Sequence, residues 1–462
     1  MKAEKIISLS PSNNYAIIGE VLVSTRDEIM NAITQAHVAQ PLWAALGCKD
    51  RIVFLNKVYQ EFEKRKNEIA LLACKEMGMP ISVQKLIDIE VGLLYMRGYL
   101  DYAEQWLAPE ITFENDKEIH YLFFEPRGVA GISMPWNFPF TNFIWGVIQN
   151  LVVGNTVVFK HSEECPLTGK LLEEIMYSNG LPEGVFNEVY GDGSSVGETL
   201  MNSAIDLIHF TGSTAVGKHL YQVAAKKFIP AILELGGSAP GIVFEDADLA
   251  ITIESIYLYR FTNSGQVCDG LKRLIVHKSI YDEVVQQLKK LLASKKVGNS
   301  EDPTIDIGPL VSKRQLLTLE AQVADALKKG ARIITGAKQP TGLSGAYYEP
   351  TILTNITFDM LVWKEEVFGP VLPIVSFTTE DEAVTLANDT QYGLGAYIYT
   401  KNKERALRIS SLLQTGNINI NNTNYNRAED PFGGYKNSGL GREHGKQGLR
   451  ELCNIKVVAI NK

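Results

Sequence analysis

The chain has 462 residues, 45% of them apolar, with 45 basic and 53 acidic residues and a net charge of −8. This predicts two or three domains with large cores and excludes a disordered chain. The acidic balance leaves no footprint for nucleic acid, and five scattered cysteines with no CxxC pair argue against a disulfide framework or zinc knuckle and for a reducing cytoplasm.

The N-terminus, Met1-Lys2-Ala3-Glu4-Lys5, lacks the apolar core of a signal peptide. The first hundred residues read as helices. Thr25 and Glu28 form a capping box ahead of Ile29, Ile33 and Ala36, and Pro41 is expected to close that helix. Ile52, Leu55, Tyr59 and Phe62 keep helical spacing on a second segment ending near Gly78, and a third helix spans about 83–107. Residues 111–127 then read as two strands around Asn115-Asp116, either an ordinary edge hairpin or one that pairs with another subunit.

From Gly128 short apolar runs alternate with helical segments: Val129–Ile132, Thr156–Phe159, Phe186–Val189, Leu207–Phe210 and Ala231–Leu233. That is the pattern of a parallel sheet covered on both faces. The alternation restarts after Gly236-Gly237. Ile242–Phe244, Leu274–His277 and Ile333-Ile334 are strand candidates, while 280–292 and 315–329 are helix candidates. A second α/β domain follows, with its boundary near Gly236. The most apolar stretch, 143–159, is broken by Gln149, Asn150, Asn155 and Thr156, so no membrane span is expected. The seven histidines show no metal-ligand spacing, and no metal is expected.

Several motifs fall where open α/β sheets bind ligands, at the carboxyl ends of strands. Cys268 ends the run Asn263-Ser264-Gly265-Gln266-Val267-Cys268; a lone thiol is ordinarily a small buried hydrophobe, but this one is a candidate nucleophile. Asn137 stands between two prolines in Ser133–Pro139, where its amide can donate to an oxyanion or simply shape a turn. Gly212 and Ser213 open a helix after a strand, a weak phosphate-loop signal without the full glycine pattern. Lys160 and Glu163 can contact ribose hydroxyls or form a solvated pair. Glu234 at a strand end is a possible general base or a salt-bridge partner. Glu366 and Phe368 share one side of an extended segment, suited to a ribose and a flat ring or to a half-buried edge.

Order, identity and spacing of these motifs resemble the aldehyde dehydrogenase superfamily over essentially the whole chain. The strongest matches are Leu233-Glu234-Leu235-Gly236-Gly237, Gly265-Gln266-Val267-Cys268 and the closing Pro431–Glu443 segment. The resemblance implies an α/β fold: a Rossmann-like cofactor domain (1–110 and 128–235), an α/β catalytic domain (236–430) and a small β oligomerisation element (111–127 and 447–462). It implies a homodimer or homotetramer.

By the same resemblance, Cys268 attacks the aldehyde, the Asn137 amide and the Cys268 N–H hold the oxyanion, and Glu234 activates the water that hydrolyses the thioester. Trp136, Lys160, Glu163, Gly212, Ser213, Glu366 and Phe368 match cofactor contacts. NAD is expected, because Glu163 repels a 2′-phosphate, with NADP admitted in some members. Three departures stand out: His161 where most members have Pro, Ser238 where Lys is usual, and Asp269 directly after the nucleophile. A carboxylate at the sulfur would raise its pKa, so Asp269 is expected to point away.

Trp145 stands where succinate-semialdehyde members carry Arg, and with Phe138 and Phe432 it implies a tunnel for an aliphatic or aromatic aldehyde. Arg427, in the polar loop 422–430, is positioned to receive a substrate carboxylate, which keeps a semialdehyde as the alternative. A catalytically silent relative is disfavoured by the joint presence of Cys268, Glu234 and Asn137. A thiol hydrolase lacks a His placed by any motif.

Overall fold

The computed structural model describes residues 4–424 and 427–462. The first three residues of the N-terminal reading, and positions 425 and 426 at the centre of the 422–430 loop, lie outside the described residues.

The chain opens with a hairpin rather than a helix. Strands Lys5–Ser10 and Ala16–Leu22 pair antiparallel around a turn at Asn14 and Tyr15, both with positive φ. The pattern is inverted, which hides it from a reading of apolar periodicity. Ser8 and Ser10 face inward while Ile7 and Leu9 are exposed, and the Ser8 hydroxyl donates to buried Glu76 Oε1 at 2.6 Å.

Helix Arg26–Ala45 has the expected Thr25/Glu28 capping box, but it runs through Pro41 instead of ending there. An interior proline costs roughly 3 kcal/mol. Trp43, buried two residues further on, donates from Nε1 to Leu151 O at 2.9 Å and holds the last turn in place. Helix Gly47–Met77 stops at Gly78, whose φ of 85° is the left-handed cap that glycine provides. Residues 81–106 are helical, with a π-helical stretch at Gln84–Glu90. There buried Asp88 accepts from the Thr141 and Phe140 N–H groups and anchors this helix to the one starting at Pro139.

Two sheets carry the molecule. The first has six strands in the order Gly439–Leu440, Ala231–Glu234, Leu207–Thr211, Val129–Ser133, Thr156–Lys160, Phe186–Val189. The last five are parallel, and the short strand Gly439–Leu440 pairs antiparallel, setting Gly439 opposite Glu234. Their near-continuous burial is what a two-sided parallel sheet requires.

The second sheet has seven strands in the order Arg332–Thr335, Thr351–Thr354, Val371–Phe377, Leu271–His277, Ala239–Val243, Gly395–Tyr399, Asn417–Ile420. All are parallel except the first, which pairs antiparallel. A third, antiparallel sheet joins Glu110–Glu114, Glu118–Pro126 and Cys453–Asn461. It exposes Ile111, Phe113, Ile455, Val457 and Ile460.

Candidate active site

The thiol of Cys268 is presented by a strained turn. Asn263, Ser264 and Gly265 all have left-handed backbone, with φ of 49°, 54° and 75°. Two of them carry side chains, each costing about 1–2 kcal/mol in that conformation. Side chains hold the turn. Asn263 Nδ2 donates to Asn137 O at 2.9 Å, Ser264 Oγ to Gly308 O at 2.8 Å, and Gln266 Oε1 accepts from the Val311 N–H at 2.9 Å.

Asn137 lies against this turn. Its Nδ2 donates to Gln266 O at 3.1 Å, and its Oδ1 accepts from Asn142 Nδ2 at 3.2 Å, which fixes the amide orientation. An amide nitrogen has two hydrogens, so one remains for another acceptor.

Burial and the Asp269 carboxylate push the thiol of Cys268 up, while Lys272 acts in the opposite direction. Asp269 does not point away: its Oδ1 lies 4.0 Å from the sulfur. The backbone explains this placement. Tyr397 Oη donates to Asp269 O at 3.0 Å and sets the residue beside the cavity instead of turning it out to solvent.

Glu234 ends its strand 2% exposed, with no hydrogen-bond partner on either carboxylate oxygen. Burial and the negative charge of Glu443 raise its pKa well above the carboxylate range, against the pull of Arg442. Glu443 was part of the closing motif but was not singled out there. Its Oε1 accepts from His209 Nε2 at 2.5 Å, and its Oε2 faces His444 Nε2 at 3.9 Å. Burial pushes Glu443 up, but the hydrogen bond and charge of His209 together with His444 outweigh it and hold the group below its ordinary value.

A second grouping surrounds Glu366. Gly237 N–H donates to Glu366 Oε1 at 3.1 Å, and a side chain on Gly236 would collide with the same carboxylate. The Lys272 ammonium, fully buried in its strand, donates to Glu366, to Gly237 O at 2.8 Å and to Cys268 O at 2.8 Å. Burial lowers its pKa. Lys272 too escaped the sequence reading, although a lysine inside an apolar strand run was a signal. Phe368 is held by Gln315 Nε2, which donates to its carbonyl at 2.9 Å, and its ring lies 5.6 Å from that of Trp136.

These groups meet in one cavity of about 430 Å³. It brings together Asn137, Trp136, Phe138, Trp145, Gly212, Ser213, Glu234, Cys268, Glu366, Phe368 and Phe432 from the expected set. Lys160, Glu163 and Arg427 are not among its lining residues. Lys160 and Glu163 pair with each other at 3.1 Å after the strand Thr156–Lys160, and Arg427 is exposed.

The cradle suits a dinucleotide. Ser213 caps the 14-residue helix Thr214–Lys227, so a helix N-terminus opens onto the cavity. The close approach of Glu366 to Gly236-Gly237 sets a carboxylate where ribose hydroxyls can be held. On the opposite side Trp145 packs against Tyr95 at 5.2 Å, His444 at 4.7 Å and Phe432 at 6.2 Å.

Residues 1–458 match the aldehyde dehydrogenase family. The chain is 37% identical to the mitochondrial succinate-semialdehyde dehydrogenase of Oryza sativa subsp. japonica, over 94% of this chain and 82% of that one. It is 36% identical to the lactaldehyde dehydrogenase of Escherichia coli K12, over 96% and 92%. Among solved structures, a Mycobacterium tuberculosis aldehyde dehydrogenase complexed with NAD+ superposes with a TM-score of 0.95 at 31% identity, covering 98% of this chain and 94% of that one.

Proposed function

The chain belongs to the aldehyde dehydrogenase family and oxidises an aldehyde with NAD or NADP; on that premise we propose that Cys268 is its nucleophile, Asn137 its oxyanion donor and Glu234 its base. The carrying observation is the convergence of the three on one cavity with Glu366 and Phe368.

The Cys268 thiolate adds to the carbonyl carbon, and the charge moves to oxygen. The free N–H of Asn137 Nδ2, on a buried side chain, stabilises that oxyanion. A bound nicotinamide dinucleotide supplies the acceptor for the hydride that leaves the same carbon. A thioester then remains on the sulfur. Glu234 takes a proton from water, the hydroxide attacks the thioester carbon, and the carboxylic acid departs as the thiolate is restored.

Ser213 and Gly212 would hold the diphosphate, Lys160 and Glu163 the adenosine ribose, and Glu366, Phe368 and Trp136 the nicotinamide end. Glu163 favours NAD, because a carboxylate beside a 2′-phosphate is repelled by up to roughly 4 kcal/mol before screening.

Phe138, Trp145 and Phe432 support an uncharged aldehyde as the substrate. A carboxyl-bearing semialdehyde is the second reading, favoured by the rice relative's name. The exposed apolar side chains of the three-stranded sheet, whose edge strand is Cys453–Asn461, support a homodimer or homotetramer. No described helix is long and apolar enough to cross a membrane, and five free cysteines support a reducing cytoplasm.

The test is an aldehyde panel with NAD and with NADP, followed by absorbance of the reduced cofactor. Wild type is expected to turn over at least one aldehyde and Cys268→Ala none, while still binding NAD. Turnover that survives in Cys268→Ala removes the thiol from the chemistry.

A further inference from the structure

Ile87, Val91, Phe138 and Trp145 line the cavity from adjoining segments, and Asn142 is set among them, 3% exposed. A side-chain amide in such surroundings must find hydrogen bonds. Both hydrogens of Asn142 Nδ2 go to the loop that carries the oxyanion donor, one to Asn137 Oδ1 at 3.2 Å and the other to Pro135 O at 3.4 Å. The residue is itself pinned. Its N–H donates to Phe138 O at 2.8 Å, and the two residues before it, Phe140 and Thr141, donate their N–H groups to buried Asp88 at 3.3 and 2.8 Å.

The two ends of the Asn137 amide are nearly equal in shape, so hydrogen bonds decide which way it is turned. As placed, Nδ2 meets Gln266 O at 3.1 Å and Oδ1 meets Asn142 Nδ2. Turned over, oxygen would face a carbonyl oxygen and nitrogen would face nitrogen. The Gln266 carbonyl is a weak arbiter alone, because it also accepts from Asn263 Nδ2 at 3.4 Å. The contact with Asn142 makes the orientation unique.

We propose that Asn142 is a positioning residue for the reaction: it keeps the Asn137 amide turned so that an N–H, and not an oxygen, meets the charge that develops on the aldehyde oxygen. The inference rests on the reading of Cys268 as nucleophile and Asn137 as oxyanion donor. Asn142 moves no proton in this role. Its effect belongs to the rate of acyl formation, where the charge develops, and not to dinucleotide affinity.

The test measures formation of reduced cofactor in a single turnover at saturating enzyme, with whichever of NAD and NADP wild type uses faster. The aldehyde is the fastest of acetaldehyde, hexanal, benzaldehyde, lactaldehyde and succinate semialdehyde. The proteins are wild type, Asn142→Leu, Asn142→Asp, Asn137→Ala and the double variant Asn137→Ala/Asn142→Leu. Asn142→Leu removes the donor at similar volume. Asn142→Asp keeps the outline but sets an acceptor where Asn137 Oδ1 needs a donor. Loss of an oxyanion donor costs about 10²–10³ in rate, so Asn137→Ala should lose about that much. Each Asn142 variant should lose about tenfold or more, with the cofactor Kd within about twofold of wild type. In the Asn137→Ala background, Asn142→Leu should change the rate by no more than about twofold. At saturating enzyme the rate constant does not depend on the fraction of folded protein.

A wild-type rate in either Asn142 variant, the same loss from Asn142→Leu with and without Asn137, or a loss matched by weakened cofactor binding would overturn the inference and leave the dehydrogenase reading intact. A wild-type rate in Asn137→Ala would overturn the oxyanion assignment and the inference with it. Reduced cofactor from none of these or any other aldehyde would overturn the dehydrogenase reading as well.

Discussion

His209 Nε2 and Glu443 Oε1 lie 2.5 Å apart, with both side chains only 1% exposed. Asn150 fixes which nitrogen carries the proton. Its Nδ2 donates to His209 Nδ1 at 3.1 Å while its own Oδ1 accepts from Asn155, so Nδ1 is the acceptor and Nε2–H the donor. The pair holds a carboxylate charge where it acts on Glu234.

That charge is one reason Glu234 titrates high. Glu443→Gln removes it, which favours the ionised form of Glu234 and lowers its pKa. The acid limb of the pH profile for thioester hydrolysis should move to lower pH. Rapid-mixing measurement of the deacylation rate across pH checks this; an unmoved limb would show that Glu443 does not act on the base.

His209→Ala leaves the Glu443 carboxylate buried without its donor. Loss of one partner of a buried pair costs about 3–5 kcal/mol. In wild type Glu443 is held below its ordinary value, so its stabilising contribution is present above the normal carboxylate range and is lost as pH falls through the lowered value. In the variant burial is opposed only by the more distant His444, so the group titrates higher than in wild type and acid relieves the penalty. The variant's deficit in urea unfolding should therefore be larger at pH 7 than at pH 4, and an equal deficit at both would count against the pairing.

Lys272 bonds both Glu366 and the Cys268 carbonyl and draws the thiol's pKa down. In Lys272→Met the midpoint of Cys268 alkylation by iodoacetamide should rise to higher pH, and KM for NAD should increase by roughly tenfold as Glu366 loses its tether. A thiol that titrates as in wild type would reduce Lys272 to a packing role.

Glu163→Ser removes the carboxylate expected beside the adenosine 2′ position, where repulsion of a phosphate reaches roughly 4 kcal/mol before screening. The ratio of kcat/KM for NADP over NAD should rise by about tenfold or more. A constant ratio means that Glu163 is not the discriminating group, a live outcome given that it lies outside the cavity lining.

The parallel strands were legible because burial on both faces writes continuous runs such as Thr156–Phe159 and Leu274–His277, which lie within the strands Thr156–Lys160 and Leu271–His277. Glu234 at a strand end, Asn137 in the loop after a strand and Cys268 in the turn before one could be picked out because each sits in a short, distinctive motif. The N-terminal hairpin was not, since Ser8 faces in and Ile7 faces out. Nor was the run through Pro41, where a distant contact of Trp43 overrides a local breaker. The His209–Glu443 pair spans 234 positions of sequence, and no local pattern announces it. Asp269 was named from sequence, but its direction depends on Tyr397, a residue on another strand.

The central claim is that one sulfur carries the substrate as a covalent acyl group that Glu234 then releases. Glu234→Gln should slow that release more than acyl formation. Intact-mass analysis of Glu234→Gln, mixed with a turned-over aldehyde and NAD, should show one acyl adduct per chain, placed on Cys268 by peptide mapping, with one equivalent of NADH formed in a burst. An unmodified chain, or an adduct on another residue, would contradict the account.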